Sequence, residues 1–347
     1  MKVLIVKLSS LGDVVHAMPA VQDIMRTFPQ TRIDWVVERS FAPLVQRCAG
    51  VNRVIACELR RWRQSPLSKP TRQAWRAFKD ELQGEHYDAV IDMQGLSKSA
   101  LVSWLARLSP SGKRYAMANQ TEGSSYEAPT RWVADVAIKL AAHSHAVDRS
   151  RELCALVLDY AVPTALTYGL RVVAHPTPDV IKKGRASSHS AIVALVHGTS
   201  RADKQWPLSH WTDLGQRLAA QGYCVALMHG SDQEHKLALE IAKDIPNAKI
   251  WPGLALDALT DALAACVGVI GVDSGLSHIA VALDLPHVQI YNFDSAWRTG
   301  PMNPARQRSV FAQPTPSVES VWQAWLAVSE SVTVTGSSAE SMVVSPA

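Results

Sequence analysis

The run Val267-Gly268-Val269-Ile270-Gly271-Val272 is apolar at every position and stops at Asp273-Ser274-Gly275. An alanine-rich apolar segment, Ile279 to Leu283, follows. A strand apolar on both faces must be covered on both faces, which a parallel sheet flanked by helices provides. The turn would then open a helix whose unpaired N–H groups and dipole favour a phosphate or carboxylate. Gly275 lets backbone approach such an anion closely. The plainer reading is an ordinary junction with Asp273 or Ser274 as N-cap. A second junction of the same kind tips the balance. Val3-Leu4-Ile5-Val6 reads as a strand that ends at Ser9-Ser10, turns at Gly12 and enters a helix near Asp13. Asp13 thus sits at the carboxyl end of a strand, where open α/β sheets bind ligands. It is either a dipole-complementing carboxylate or a general base presented at a cleft. His16, on the same helical face, reads as a packed histidine.

With 347 residues the chain has length for two domains, each with its own core. No segment approaches the ~20 apolar residues that span a bilayer. Lys7 cuts the first apolar run short, so that run is a first strand and not a signal peptide. Five cysteines (Cys48, Cys57, Cys154, Cys224, Cys266) lack Cys-x-x-Cys spacing and read as reduced structural thiols of a cytoplasmic protein. Charge is uneven. Residues 60–79 carry seven Lys/Arg and no acid, while the whole chain is only +4, so the rest sums to −3. A cationic patch on a slightly acidic body implies a specific anionic partner. A solvated helix face accounts for Arg72, Arg76 and Lys79, but less well for Arg60-Arg61-Trp62-Arg63, which directly follow a strand expected over Arg53–Glu58.

Strands and helices alternate twice. Val3–Leu8, Ile33–Glu38, Arg53–Cys57 and Ala89–Met93 read as strands, separated by helices near Val14–Phe28, Phe41–Cys48, Thr71–Leu82 and Ser97–Leu108. Further helices are expected over Arg131–His143 and Asp148–Leu158. The second half restarts with strands Ile192–His197, Cys224–His229, Lys249–Trp251, Val267–Asp273 and His287–Tyr291. Its helices are Leu208–Gln221, Asp232–Ile245, Leu256–Cys266, Gly275–Leu283 and Val318–Val328. The expected organisation is a first domain over 1–165, a linker region over 166–190, a second domain over 191–316 and a last helix over 317–330. The Ser/Thr/Val-rich tail, 331–347, shows no packing pattern and is expected to be disordered.

The motifs exclude several classes. No Gly-x-Gly-x-x-Gly follows a strand, which disfavours a nicotinamide or flavin enzyme, and no Walker Gly-x-x-x-x-Gly-Lys-Ser/Thr occurs. No His/Cys/carboxylate cluster at ligand spacing points to a metal. The remaining polar junctions of the second half are His197 to Pro207 and His229 to Glu234. Both follow strands, so both should line the same edge as Asp273. Thr199 and Ser200 with Lys204 suit a diphosphate, and Glu234 suits a ribose diol. Taken singly, each has a plainer surface role; as one rim they favour a nucleotide site.

Ser9-Ser10-Leu11-Gly12-Asp13-Val14, Asp34-Trp35-Val36-Val37-Glu38, Arg60-Arg61-Trp62-Arg63, Asp92-Met93-Gln94-Gly95-Leu96-x-Lys98-Ser99, Asp203-Lys204-x-Trp206-Pro207 and Asp273-x-Gly275-Leu276-Ser277-His278 occur in order. Together they resemble the lipopolysaccharide heptosyltransferase I family, from Met1 to about Leu326. The stretch 119–132 lacks that family's commoner Arg-Glu-Pro pattern. The resemblance implies an α/β GT-B fold, with two Rossmann-like domains facing each other across a cleft. It implies inverting transfer of L-glycero-D-manno-heptose from ADP-heptose to the first Kdo of Kdo2-lipid A. Carried over by motif, the donor contacts are Thr199, Ser200, Lys204, Glu234, Asp273, Ser274, Gly275 and His278, with Leu254 beside the adenine. Asp13 is the base and Lys204 the second catalytic group. Ser10, Arg60, Arg61 and Arg63 hold the acceptor, while Trp62 packs under the sugar or in the core. No metal or cofactor is implied. The expected setting is a monomer bound peripherally to the anionic cytoplasmic face of the inner membrane, with no nucleic-acid partner. The alternatives are a related enzyme adding a later heptose, a GT-B-like nucleotide-sugar epimerase, or a membrane-surface or nucleic-acid binding protein using residues 60–79.

Overall fold

The computed structural model describes residues 1–173 and 191–337, of which 330–337 through their backbone. Two compact units divide the chain, Met1–Arg171 and Val172–Ala347. In the first unit, the apolar runs become fully buried strands, as their lack of alternation requires. β1 (Lys2–Val6), β2 (Arg32–Glu38), β3 (Val51–Cys57), β4 (His86–Asp92), β5 (Arg107–Met117) and β6 (Val136–Ile138) form one parallel sheet. Its spatial order is β3-β2-β1-β4-β5-β6. The helices are α1 (Leu11–Thr27), α2 (Ala42–Val45), α3 (Leu59–Gln64), α4 (Lys69–Leu82), α5 (Ser97–Leu105), α6 (Pro129–Val133) and α7 (Ala146–Leu158). One helical layer, α3 to α5, packs Trp62, Phe78, Leu82 and Val102 against Leu4, Val6 and Val90 of the sheet. α1 and α7 pack on each other.

The second unit repeats the plan. Its strands are β7 (Ile192–Val196), β8 (Cys224–Leu227), β9 (Lys249–Ile250), β10 (Gly268–Val272), β11 (His287–Tyr291) and β12 (Gln307–Phe311). They are parallel in the order β12-β11-β10-β7-β8-β9. The helices are α8 (Leu208–Ala220), α9 (Asp232–Ala242), α10 (Leu256–Ala264), α11 (Gly275–Ala282), α12 (Ala296–Thr299) and α13 (Val318–Ser337). In both sheets the first strand of the unit lies beside the fourth. The order reverses there, and the crevice at the carboxyl ends of that strand pair is where such sheets take ligands. The switch points are β1/β4 and β7/β10.

Several expectations are corrected. Arg131–His143 is no helix: α6 covers five residues and the chain then joins the sheet as β6. Pairing with β5 outweighs the weak local helical preference of that stretch. The helix expected over Ser97–Leu108 stops at Leu105 and gives way to β5. At the carboxyl terminus α13 spans Val318–Ser337. Residues 338–347 of the expected tail and 174–190 of the expected linker lie outside the described residues. All five cysteines are free and buried. Burial pushes the thiols of Cys48, Cys57 and Cys154 up to about 12.

Candidate active site

At the β1/β4 switch point the chain gathers charges that were scattered in sequence. Ser10 caps α1. Asp13 Oδ2 accepts both the Ser10 amide, at 3.0 Å, and the Ser10 hydroxyl, at 2.8 Å. Asp13 is therefore a capping residue, yet its side chain remains 36% exposed. Its other oxygen lies 3.8 Å from the ammonium of Lys7, whose side chain is only 4% exposed. Lys7 Nζ also donates to the Met93 carbonyl at 3.0 Å. Burial pulls the Lys7 pKa down, opposed by Asp13. For Asp13, burial pushes upward, but the Lys7 charge and the two Ser10 bonds outweigh it and hold the carboxyl below its usual range. Asp13 is thus kept ionised with one edge open, which is what a proton acceptor needs.

The β4–α5 turn completes this end. Asp92 Oδ1 accepts the Gln94 and Gly95 amides, and the Ser99 hydroxyl donates to its second oxygen. Gly95 has φ +76°, a conformation side chains rarely adopt. Gln94 Oε1 accepts the Leu8 and Ser9 amides, tying this turn to the end of β1. Lys98 Nζ donates to Ser9 Oγ at 2.8 Å. Burial pulls its pKa down, and the charge of Arg60 acts in the same sense. Glu38, at the end of β2, is buried, and burial pushes its carboxyl up against the charges of Lys98 and Arg60. Arg60, Arg61 and Arg63 are exposed on α3, and Arg61 pairs with Glu58 at 3.1 Å. Trp62 belongs to the core, edge-on to Trp75 at 5.6 Å and close to Phe78. His16 is buried, edge-on to His145. Asp34, though part of a quoted motif, is a strand clamp: Arg53 Nε and the Tyr87 hydroxyl donate to it at 3.1 and 2.8 Å.

At the β7/β10 switch point, Lys204 and Asp273 form an ion pair at 2.5 Å. Asp273 is 5% exposed, and its other oxygen lies 3.3 Å from His278 Nε2 and 3.4 Å from the Gln289 amide nitrogen. Burial pushes the Asp273 carboxyl up, but His278 and Lys204 prevail and hold it well below the usual carboxylate range. Ser274 is the N-cap of α11 and Gly275 its first residue. Ser274 Oγ is buried with no hydrogen-bond partner among the described residues. Glu234 lies in the first turn of α9, where its Oε2 accepts the Gly230 amide at 2.7 Å. A Cβ on Gly198 would sit 2.6 Å from Glu234 Oε1, so a side chain there would push the Glu234 carboxylate from this position. Thr199 is half-buried and Ser200 exposed in the loop after β7, and Leu254 is half-buried in the loop after β9. Among the described residues, no group of three or more His, Cys, Asp or Glu is placed to hold a metal ion.

Lys204, Asp273, Ser274, Gly275 and His278 are thus brought together, and Ser10 and Asp13 likewise. Arg60 is near enough to Glu38 and Lys98 to act on both through its charge, and Arg60, Arg61 and Arg63 all lie on the surface. Sequence reasoning missed Lys7, Glu38, Gln94, Lys98 and Gln289 as parts of these clusters. A signal existed for Lys7, the charge at the carboxyl end of an otherwise apolar run, and for Glu38, Gln94 and Lys98, which lie in the motifs named above.

Comparison with known proteins adds an independent line. The model of Glycosyltransferase family 9 (heptosyltransferase) matches residues 75–322. The lipopolysaccharide heptosyltransferase 1 of Escherichia coli K12 is 37% identical over 292 residues, 84% of this chain and 88% of that protein. The E. coli heptosyltransferase WaaC solved with ADP superposes with a TM-score of 0.80 at 32% identity, covering 93% of this chain and 98% of that one. Solved with ADP-2-deoxy-2-fluoro heptose, the same enzyme gives 0.74 at 31% identity, covering 97% and 99%.

Proposed function

The chain belongs to glycosyltransferase family 9, the heptosyltransferases, with the GT-B fold, and on that premise we propose how it works. It is a lipopolysaccharide heptosyltransferase that moves L-glycero-D-manno-heptose from ADP-heptose to the first Kdo of Kdo2-lipid A, with inversion at the anomeric carbon. The observation that carries the reading is the division of chemistry between the two switch points. One presents an ionised, part-exposed carboxylate, the other an ammonium at the amino end of an apolar helix.

An alcohol is a poor nucleophile at neutral pH. Asp13 takes the proton from the acceptor hydroxyl as that oxygen attacks the face opposite ADP. The bond to the diphosphate breaks in the same step, and negative charge grows on the departing ADP. Lys204 and the free N–H groups at Ser274 and Gly275 stabilise that charge. The Lys204–Asp273 pair holds the ammonium in place, and Asp273 is kept charged by His278. Thr199, Ser200 and the Ser274 hydroxyl bind diphosphate oxygens, Glu234 the ribose diol, and Leu254 packs by the adenine. Ser10 lies on the acceptor side with Asp13. Arg60, Arg61 and Arg63 grip carboxylates and phosphates of the acceptor through bidentate hydrogen bonds. No metal is needed for this charge balance. Among the described residues no helix is long and apolar enough to cross a membrane. Peripheral attachment to the anionic cytoplasmic face of the inner membrane, as a monomer, suits an acceptor rooted in lipid.

The test is incubation with ADP-heptose and Kdo2-lipid A followed by mass measurement of the lipid. One added heptose is expected. Loss of ADP-heptose without acceptor, or addition only to an acceptor that already carries heptose, overturns the reading.

A further inference from the structure

α3 to α5 lie side by side over one face of the first sheet, and α6 packs against α5. The outward side of this layer is unusual in two respects. Arg60, Arg61, Arg63, Lys69, Arg72 and Arg76 are all exposed on α3 and α4. The same helical layer also exposes large apolar side chains to water: Leu67, 84% exposed between α3 and α4, Trp104, 62% exposed on α5, and Trp132, 74% exposed on α6. Leu101 shares the outer face of α5 one turn before Trp104. The frame that presents them is fastened. Arg114 donates to the Ser103, Trp104 and Ala106 carbonyls at the end of α5. Glu127, leading into α6, accepts the Ser97 amide at 2.7 Å, and Gln83 of the α4 end donates to the Leu105 carbonyl.

Indole combines an apolar body with one N–H donor, so it gains most at a water–hydrocarbon boundary. Arginines and lysines beside it favour anionic headgroups over a neutral apolar partner. The same helix connects this surface to the reaction. Lys98, in the first turn of α5, bonds to Ser9 beside Ser10 and Asp13, and six residues of helix, about 9 Å, separate it from Trp104.

We propose that the outer surface of the α3–α6 layer docks on an anionic lipid bilayer. Trp104, Trp132 and Leu67 enter the headgroup–acyl boundary, and Lys69, Arg72 and Arg76 of α4 lie on the headgroups. A lipid-anchored acceptor then meets Asp13 with its sugar part still outside the bilayer. This rests on the lipid acceptor proposed above and adds the residues that attach the enzyme to the surface holding it.

The experiment uses the full chain and vesicles of phosphatidylethanolamine with or without phosphatidylglycerol, read by flotation. A set carrying lipids brominated near the headgroup is read by tryptophan quenching. The unaltered protein should float with phosphatidylglycerol vesicles and be quenched. The double variant Trp104→Ser/Trp132→Ser should partition about ten-fold or more weakly. Trp104→Phe/Trp132→Phe should keep most of the flotation and lose the quenching. Heptose transfer to a water-soluble, deacylated acceptor should be unchanged in both, since neither residue is placed at the chemistry. Absence of transfer to any acceptor, with tryptophan-dependent flotation intact, would remove the proposed reaction and leave the docking surface standing. Flotation that ignores both double variants, no binding to anionic vesicles, or tryptophan-dependent self-association without lipid overturns the docking proposal.

Discussion

The two units share one strand order but set different chemistry on it. In the first, the β1/β4 crevice holds a carboxylate with one open edge, backed by a buried ammonium and flanked by exposed arginines. In the second, the β7/β10 crevice holds a carboxylate that is closed in on both oxygens, by Lys204 on one and by His278 and Gln289 on the other. An open, ionised carboxylate accepts a proton. A closed one fixes a neighbouring cation. The fold supplies the crevice, and the loop residues at its rim decide what each crevice does.

The comparison breaks most visibly at Asp13. Asp13→Asn keeps size and part of the cap but removes basicity, so turnover should fall by ~10²–10⁴-fold while ADP-heptose affinity barely changes. Single-turnover rates beside donor titrations check this; near-normal turnover would reduce Asp13 to a helix cap.

In the second unit the loss should appear in binding. Lys204→Ala should weaken ADP and ADP-heptose alike by roughly 10–100-fold, the range of a charged hydrogen bond worth about 1.5–3 kcal/mol. Because Asp273 pairs with the Lys204 ammonium, Asp273→Ala should also weaken both ligands together. Calorimetry with each ligand decides, and a loss confined to ADP-heptose would make Asp273 a sugar contact instead.

Smaller effects are expected from the arginines, which are exposed and screened. Arg60→Ala, Arg61→Ala and Arg63→Ala should each raise KM for Kdo2-lipid A by about ten-fold and leave KM for ADP-heptose nearly constant. Added salt should weaken acceptor use more than donor use. Acceptor kinetics unaffected by all three, in one detergent, would detach α3 from the acceptor.

The subtlest difference is in pH. The base proposed here, Asp13, can act only when deprotonated, so activity should fall as pH drops through its pKa, which Lys7 and Ser10 hold below the usual carboxylate range. Lys7→Met removes that charge and leaves the upward push of burial less opposed. The acidic limb of kcat/KM should therefore move to higher pH, with donor KM unchanged. A limb that stays put would mean Lys7 only fills the core.

Much of the scaffold was legible because runs apolar on both faces admit few folds. β1, β10 and β11 lie where such runs end at turn residues, with His287–Tyr291 matching at both ends. The Asp273–His278 junction was visible because Asp273 directly follows such a run, and Asp13 because Ser9, Ser10 and Gly12 mark the turn from β1 into α1. β5, β6 and β12 were not visible. Arg107–Met117 carries Pro110, Gly112 and two serines and becomes a strand only because β4 pairs with it. Trp62, between arginines in sequence, could equally have faced a sugar; packing against Trp75 and Phe78 decides it. The same holds for charge. Lys204 and Asp273 are 69 residues apart, and Lys98 reaches Ser9 across 89 residues. Local pattern determines which segments become strands and helices, since burial period is written residue by residue. Which charges meet depends on strand order, and strand order is a property of the whole sheet.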